Sequence, residues 1–252
     1  MIKKFQATIS YSRLRRTIHL YLPDDYGGSE ERYPVIYMYD GHNLFFDKDA
    51  TYGKSWGLRE FLDAYPRKFI VVGVECNHEG HKRLDEYSPY SFRLLGMNIH
   101  GEGKEYMDWL VHHLKPYIDK KYRTLPDREH TMIAGSSMGG LMSYYSIFAH
   151  NDIFSKAACL SSTFDACQEE IMELTKQSTI DPNTRIFLSF GSKELRGRWI
   201  KRNPLIQSFH QELKGIIEKK GGQATFEWVE GASHNEASWE KQIPDFMEYL
   251  WK

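Results

Sequence analysis

Short, nearly uninterrupted apolar runs recur along this 252-residue chain, and longer stretches with helical periodicity separate them. The runs are rich in β-branched and aromatic residues, which is typical of strands buried on both faces of a sheet. They lie at residues 35–39, 69–74, 131–134 and 186–190. Residues 17–22 instead alternate between apolar and polar side chains and stop at Pro23. This pattern predicts a strand near the edge of the sheet.

Apolar side chains recur at three- and four-residue steps over residues 106–118, 206–217 and 243–250, which predicts helices. Gly221 and Gly222 end the second helix, and residues 226–229 predict a last strand before the third. Alternating strands and helices predict an α/β fold with a mostly parallel sheet covered on both faces. No repeat or linker divides the chain, so we expect one domain over residues 1–252.

Composition and charge narrow the classes of function. The chain has 33 Lys and Arg against 34 Asp and Glu, so no global basic field attracts nucleic acid or anionic membranes. The start of the chain lacks the apolar segment of a signal peptide, and the run at 69–74 is too short to span a bilayer. Cys76, Cys159 and Cys167 show no paired spacing. We expect a cytoplasmic protein without disulfides, and a homo-oligomer is left open.

The segment Gly135-Ser136-Ser137-Met138-Gly139 carries the strongest chemical signal. It matches G-x-S-x-G between a predicted strand and a predicted helix, which is the context of a nucleophile elbow. Such a turn exposes the serine hydroxyl above the sheet, where the helix N-terminus favours a developing oxyanion. The alternative is an ordinary glycine-rich turn with an inert serine. The context favours Ser137 as a nucleophile.

A nucleophilic serine needs a base and an acid, which follow it in the order Ser, Asp or Glu, His on such a scaffold. His150 and His210 lie in helical patterns, whereas His234 lies in a polar turn before the last helix. We therefore expect His234 to be the base. Glu194 is the acid that the turn after residues 185–190 offers, and Asp181 and Glu230 fit this position less well.

The turn after residues 35–39 is the predicted source of a second oxyanion donor. Gly41 permits close backbone approach, so the His42 N–H is expected to join the Met138 N–H. Asn43 follows as a candidate substrate contact. The long segment from Cys76 to Gly103 is rich in aromatic residues, and Tyr87 and Tyr90 either line the substrate pocket or anchor this loop.

Two further patterns resemble cofactor or metal motifs without matching them. Gly53-Lys54-Ser55 resembles the end of a phosphate-binding loop, but the first glycine of that motif is absent. His78-Glu79-Gly80-His81 is one residue short of H-E-x-x-H. We expect neither a metal nor a cofactor.

Taken together, these residues resemble the esterase D-like family of the α/β-hydrolases. The resemblance lies in residues 33–45, 83–89, 135–140, 191–194 and 233–235, with Trp239. It implies an α/β-hydrolase fold, a Ser137–Glu194–His234 triad and an oxyanion hole from the N–H groups of His42 and Met138. Many members have Asp as the acid and His-Gly in place of Asp40-Gly41.

The expected function is hydrolysis of a small carboxylic ester through an acyl-enzyme. Little sequence separates residues 156–160 from residue 185, so no large lid domain fits there. The pocket is therefore expected to be open and to take short-chain acyl groups or acetylated carbohydrates. Two alternatives remain: an acyltransferase that uses the same acyl-enzyme, and a non-catalytic binding module.

Overall fold

The computed structural model describes residues 1–94 and 96–252. Within these residues eight strands form one sheet and two more form a small hairpin. The strands are β1 (Ile2–Thr8), β2 (Arg15–Tyr21), β3 (Val35–Tyr39), β4 (Ile70–Val74), β5 (Phe92–Leu94), β6 (Met97–Ile99), β7 (Thr131–Ser136), β8 (Lys156–Leu160), β9 (Arg185–Gly191) and β10 (Gln223–Val229).

The order of the large sheet is β1-β2-β4-β3-β7-β8-β9-β10. The pairs β1–β2 and β2–β4 are antiparallel, and every pair from β4 to β10 is parallel. The carboxyl ends of these six parallel strands therefore meet at one edge. Loops at this edge are where ligands bind in open α/β sheets.

Helices cover both faces of the sheet. They are α1 (Leu58–Ala64), α2 (Lys82–Glu86), α3 (Gly103–Trp109), α4 (Lys115–Lys121), α5 (Met138–Ala149), α6 (Gln168–Gln177), α7 (Asn203–Lys219), α8 (Glu236–Glu240) and α9 (Ile243–Leu250). Side chains of α3 to α7 share one apolar core with Tyr37 of β3. Side chains of α1, α8 and α9 share the other with Ile36. The predicted mostly parallel sheet with helices on both faces is confirmed.

Most predicted elements are present with slightly different ends. The expected helix over 106–118 consists of α3 and α4 joined by a π-helical turn at Leu110–Leu114. The segment from Cys76 to Gly103 contains α2 and the β5–β6 hairpin. Residues 161–184 form one short 3-10 turn and α6, so no lid domain lies between β8 and β9. The three cysteines are free and buried.

No helix in the described part of the chain has the length and apolar character needed to cross a membrane.

Candidate active site

Ser137 lies on a sharp turn between β7 and α5. Its backbone has φ 59° and ψ −123°, a conformation that an L-residue rarely adopts, and its N–H donates to Leu160 O at 2.9 Å. Gly135 permits this turn, because a Cβ there would lie 2.7 Å from the backbone of Gly139. The strained serine is thus held between a buried strand and the first turn of a buried helix.

His234 and Glu194 are directly hydrogen bonded. His234 Nδ1 lies 2.8 Å from Glu194 Oε2. The carboxylate can only accept, so Nδ1 carries the proton and Nε2 keeps its lone pair. The Glu194 side chain is 3% exposed, whereas His234 is 41% exposed. The structure therefore places a buried acid behind a histidine that opens to solvent.

The second oxygen of Glu194 is fixed by two donors. Its Oε1 accepts from the Gly191 N–H at 2.6 Å and from Ser161 Oγ at 2.6 Å. Ser161 Oγ in turn accepts from Trp239 Nε1 at 2.9 Å, and the Trp239 ring packs edge-on against His234 at 5.2 Å between centroids. Ser161 was not expected from the sequence, since no local motif marks it.

Ser137 and His234 line one cleft with a volume of about 530 Å³. Ser137 Oγ lies 3.4 Å from Thr163 Oγ1. His42 and Asn43 line the same cleft. The predicted nucleophile, base and oxyanion turn are thus brought together at the carboxyl edge of the sheet, with Glu194 directly behind the base.

The turn predicted to supply the second oxyanion donor, called the oxyanion turn below, begins at Asp40, which has the left-handed conformation φ 54°, ψ 50°. Arg83 Nε and Nη2 donate to the two Asp40 carboxylate oxygens at 2.7 Å each, and the Asp40 N–H donates to Tyr87 Oη at 3.1 Å. Burial raises the pKa of the Asp40 carboxyl, but the Arg83 guanidinium outweighs this and lowers it. Gly41 is required next, because a Cβ there would lie 2.4 Å from Gly73 C.

The N–H groups of His42 and Met138 have no protein acceptor among the described residues. Met138 directly follows Ser137 and His42 lies two residues after Asp40; Ser137 and Asp40 both have positive φ at the end of a parallel strand, and both Met138 and His42 are buried. The His42 ring is held by Thr51, whose Oγ1 lies 3.0 Å from Nε2. Burial lowers the pKa of His42, which favours the neutral imidazole.

The three expected substrate contacts occupy different positions. Asn43 lines the cleft, where its amide donates to Glu236 Oε1 at 3.2 Å and accepts from the Thr51 N–H at 2.9 Å. Tyr87 is fully buried beneath the Asp40 turn, and Tyr90 packs against Tyr145. Neither tyrosine lines the cleft, so of the two alternatives left open by the sequence their positions fit anchoring of the loop rather than lining of the pocket. Their rings are needed to fill the core under the loop.

Glu236 is a functional candidate that the sequence analysis missed. Its side chain lines the cleft at the start of α8, two residues after His234, and is buried. Burial raises the pKa of this carboxyl. The only hint in the sequence was that Glu236 lies two residues after the predicted base. Its contact with Asn43 could not be predicted, because the two residues are 193 positions apart in the chain.

Comparisons with known proteins show the family to which the chain belongs and the fold that it shares. Residues 11–250 match the family named "Putative esterase". The chain is 26% identical over 245 residues to the uncharacterized protein YbbA of Bacillus subtilis. The matched region covers 94% of this chain and 92% of YbbA. It is also 27% identical over 247 residues to an endo-1,4-beta-xylanase/feruloyl esterase of Xylanibacter ruminicola, covering 94% of this chain and 29% of that protein.

Among solved structures, an IroE-like serine hydrolase from Shewanella oneidensis superimposes with a TM-score of 0.78. The match covers 99% of this chain and 79% of that chain at 18% identity. The sheet order and the overall similarity show an α/β-hydrolase fold. Because the family match spans nearly the whole sequence, the chain belongs to the "Putative esterase" family.

Proposed function

We propose that Ser137, His234 and Glu194 form a catalytic triad that hydrolyses small carboxylic esters. The observation that carries this proposal is the 2.8 Å contact between Glu194 Oε2 and Nδ1 of His234, which lines the same cleft as the strained Ser137. A serine that shares a cleft with a histidine, which an acid orients in turn, is the combination that serine nucleophiles require.

In the first half of the reaction Ser137 Oγ leaves Thr163 and attacks the ester carbonyl carbon. His234 Nε2 takes the serine proton, and Glu194 stabilises the resulting imidazolium. The carbonyl oxygen becomes an oxyanion that accepts hydrogen bonds from the N–H groups of His42 and Met138. The C–O bond to the alcohol then breaks, and His234 donates its proton to the departing alkoxide.

In the second half, water enters the cleft and loses a proton to His234 Nε2. The hydroxide attacks the acyl-enzyme, and the carbonyl oxygen occupies the same oxyanion site. Collapse of this intermediate releases the carboxylic acid and returns the proton to Ser137 Oγ. An alcohol in place of water would give acyl transfer through the same intermediate.

We infer that the acyl group is short and that the alcohol part of the substrate carries hydroxyl or other polar groups. The cleft wall supports this, because hydrogen-bonding side chains line the same cleft as Ser137, namely Asn43, Thr51, Asn77 and Arg83. Residues 161–184 add no lid that would cover a long acyl chain. Short-chain acyl esters and acetylated carbohydrates fit this description.

The test is a panel of esters measured with the purified full chain. We expect acetyl and short acyl esters, including acetylated sugars, to give higher kcat/KM than long-chain acyl esters. Ser137→Ala should fold and lose turnover of every ester, by about 10⁴-fold or more in kcat. Thr163→Ala, which removes only the resting partner of Ser137, is the matched control and should keep most of the activity. Added alcohol acceptors reveal acyl transfer if transesterified products exceed the free acid.

A further inference from the structure

His42, Cys76 and His78 form a compact cluster in the wall of the cleft. One ligand atom from each residue lies within 4.8 Å of the other two. Cys76 Sγ is 3.9 Å from His78 Nδ1, and the two imidazole rings lie 4.7 Å apart between centroids in an edge-to-face arrangement. Esterase chemistry as derived above uses none of these three side chains.

The His42 ring presents an unused acceptor in this cluster. The residue is 6% exposed, and Nε2 is 3.0 Å from Thr51 Oγ1. Nδ1 is buried and has no hydrogen-bond partner in the part of the chain that the structure describes. If Nε2–H donates to Thr51, Nδ1 carries a lone pair, which is the form of imidazole that ligates metals. A buried nitrogen left unpaired otherwise costs stability.

We propose that His42, Cys76 and His78 bind a zinc-type divalent cation at the wall of the ester cleft, and that the bound cation inhibits the enzyme. Two imidazoles and one thiolate are the ligand set that Zn²⁺, Cd²⁺ and Co²⁺ prefer over Mg²⁺ or Ca²⁺. Three protein ligands leave a fourth position for water.

Small side-chain movements would bring the ligand atoms of the cluster to the spacing that a bound zinc ion requires. A tetrahedral zinc ion holds its sulfur and nitrogen ligands about 3.4–3.6 Å apart. The Cys76–His78 contact of 3.9 Å is close to this value. The side chain of His78 is 56% exposed and is therefore free to adjust, while His42 and Cys76 are buried. On binding, the Cys76 thiol loses its proton to solvent and the thiolate sulfur forms the bond to the cation.

The charges around the cluster suit a cation. The carboxylate of Asp40 acts on both His42 and Cys76, and Glu75 Oε2 lies 3.6 Å from His78 Nε2. Burial and the Asp40 charge raise the pKa of the Cys76 thiol, so the sulfur is protonated until a metal displaces the proton. Arg83 neutralises part of the negative charge through Asp40.

The inhibition rests on the proposed esterase function, whereas the metal site does not. His42 is also the residue whose N–H is assigned to the oxyanion hole. A cation on its ring, with water in the fourth position, would occupy cleft space next to that N–H. We expect Zn²⁺ to raise the apparent KM for esters and a chelator to reverse the effect.

Cobalt absorption tests the site directly on the purified full chain. Co²⁺ bound by a thiolate gives a charge-transfer band in the near ultraviolet. Wild-type protein should show this band and Cys76→Ser should lose it. Cys167→Ser, which removes another buried free cysteine outside the cluster, should retain it. Absence of the band from wild type with excess Co²⁺, or its persistence in Cys76→Ser, would overturn the proposal.

A second pair of variants keeps the test decisive if Cys76→Ser does not fold. His78→Ala should weaken Zn²⁺ binding by more than about tenfold in calorimetry, because a ligand is lost. His81→Ala, an exposed histidine in the same loop, should bind Zn²⁺ like wild type. Equal affinities for the two variants would overturn the proposal. Cobalt and calorimetric results stand even if no ester is hydrolysed, so failure of the metal site and failure of the esterase function are distinguishable.

Discussion

Arg83 donates two parallel hydrogen bonds of 2.7 Å to the Asp40 carboxylate, and this ion pair holds the turn that contains the His42 N–H. Asp40 is buried and has a left-handed backbone, which is strained for a residue other than glycine. A bidentate arginine supplies both charge and orientation. The geometry of the oxyanion turn therefore depends on a residue 43 positions away in the chain.

Replacement of Arg83 should lower kcat more than it raises KM. Arg83→Ala leaves the buried Asp40 carboxylate unpaired and releases the turn. We expect kcat for small esters to fall by about 10²–10³-fold, which is the effect of losing an oxyanion donor. The melting temperature should also fall, because the unpaired buried charge costs about 3–5 kcal/mol. Steady-state kinetics and thermal unfolding check both effects.

A double variant separates the charge from the geometry. Arg83→Ala with Asp40→Asn removes both charges and should recover part of the lost stability, but not the lost kcat. Arg93→Ala, an exposed arginine on β5, is the control and should behave like wild type. A wild-type kcat in Arg83→Ala would show that the turn keeps its geometry without the arginine.

Ser161 is predicted to be a positioning residue for the triad acid. Ser161→Ala removes the donor to Glu194 Oε1 and leaves the Trp239 Nε1–H without its acceptor. We expect kcat to fall about 10–100-fold with little change in KM, by analogy with the loss of other outer-shell hydrogen bonds. The neighbouring Ser162 is buried and its hydroxyl has no partner among the described residues, so Ser162→Ala is the matched control. Equal kcat values for the two variants would argue against a role for Ser161.

Tyr87 should act on stability rather than on substrate choice. Its fully buried ring packs against Tyr39 and Tyr106, and its hydroxyl accepts from the Asp40 N–H. Tyr87→Ala should cost about 3–5 kcal/mol in the free energy of unfolding, as for other buried aromatics. It should slow the hydrolysis of all esters by the same factor.

Tyr52 differs from Tyr87 because it lines the cleft and is 82% exposed, so it should affect substrate choice rather than stability. Tyr52→Ala should leave the melting temperature unchanged and alter the ratio of kcat/KM values between small and large esters. If Tyr87→Ala instead changed this ratio at constant melting temperature, the buried position assigned to Tyr87 would be contradicted.

The sequence predicts the parts of the site that local pattern determines. The turn around Ser137 is recognisable from consecutive residues. Glu194 and His234 are predicted from their order along the chain and from the strands that precede them. The apolar runs of β3, β4, β7 and β9 identify the core of the sheet. These features need only neighbouring residues and one topological rule.

The remaining features depend on contacts between distant segments. β1 was not predicted, because Ile2–Thr8 is a half-exposed edge strand that gains its order from pairing with β2. The Asp40–Arg83 and Ser161–Trp239 contacts join residues 43 and 78 positions apart. The sequence left Tyr87 open between lining the pocket and anchoring the loop, because the choice depends on its packing against Tyr39 and Tyr106, which lie in other segments of the chain.

His210 should make the protein sensitive to acid. Its ring stacks on Phe226, Nδ1–H donates to Ile206 O at 2.8 Å, and burial lowers its pKa from 6.5 to about 4. Because the unfolded chain takes up a proton near pH 6.5 and the folded protein only near pH 4, stability falls as pH drops through this window. The loss from this residue between pH 7 and pH 4.5 is roughly 2–3 kcal/mol.

Urea unfolding at pH 7 and pH 4.5 measures this loss. His210→Phe cannot take up the proton, so its stability should change less between the two pH values than that of wild type. His113→Phe, at an exposed position on the π-helical turn, should retain the wild-type difference. An identical pH dependence in His210→Phe and wild type would assign the acid sensitivity to other groups.

The central claim is that Ser137 is a nucleophile activated by His234, and a fluorophosphonate probe tests it most directly. Intact-protein mass spectrometry with peptide mapping should show one adduct per chain, on Ser137, and none in Ser137→Ala. His234→Gln should react more slowly by several orders of magnitude, because the serine loses its base. An adduct on another residue, or equal labelling rates in wild type and His234→Gln, would contradict the account.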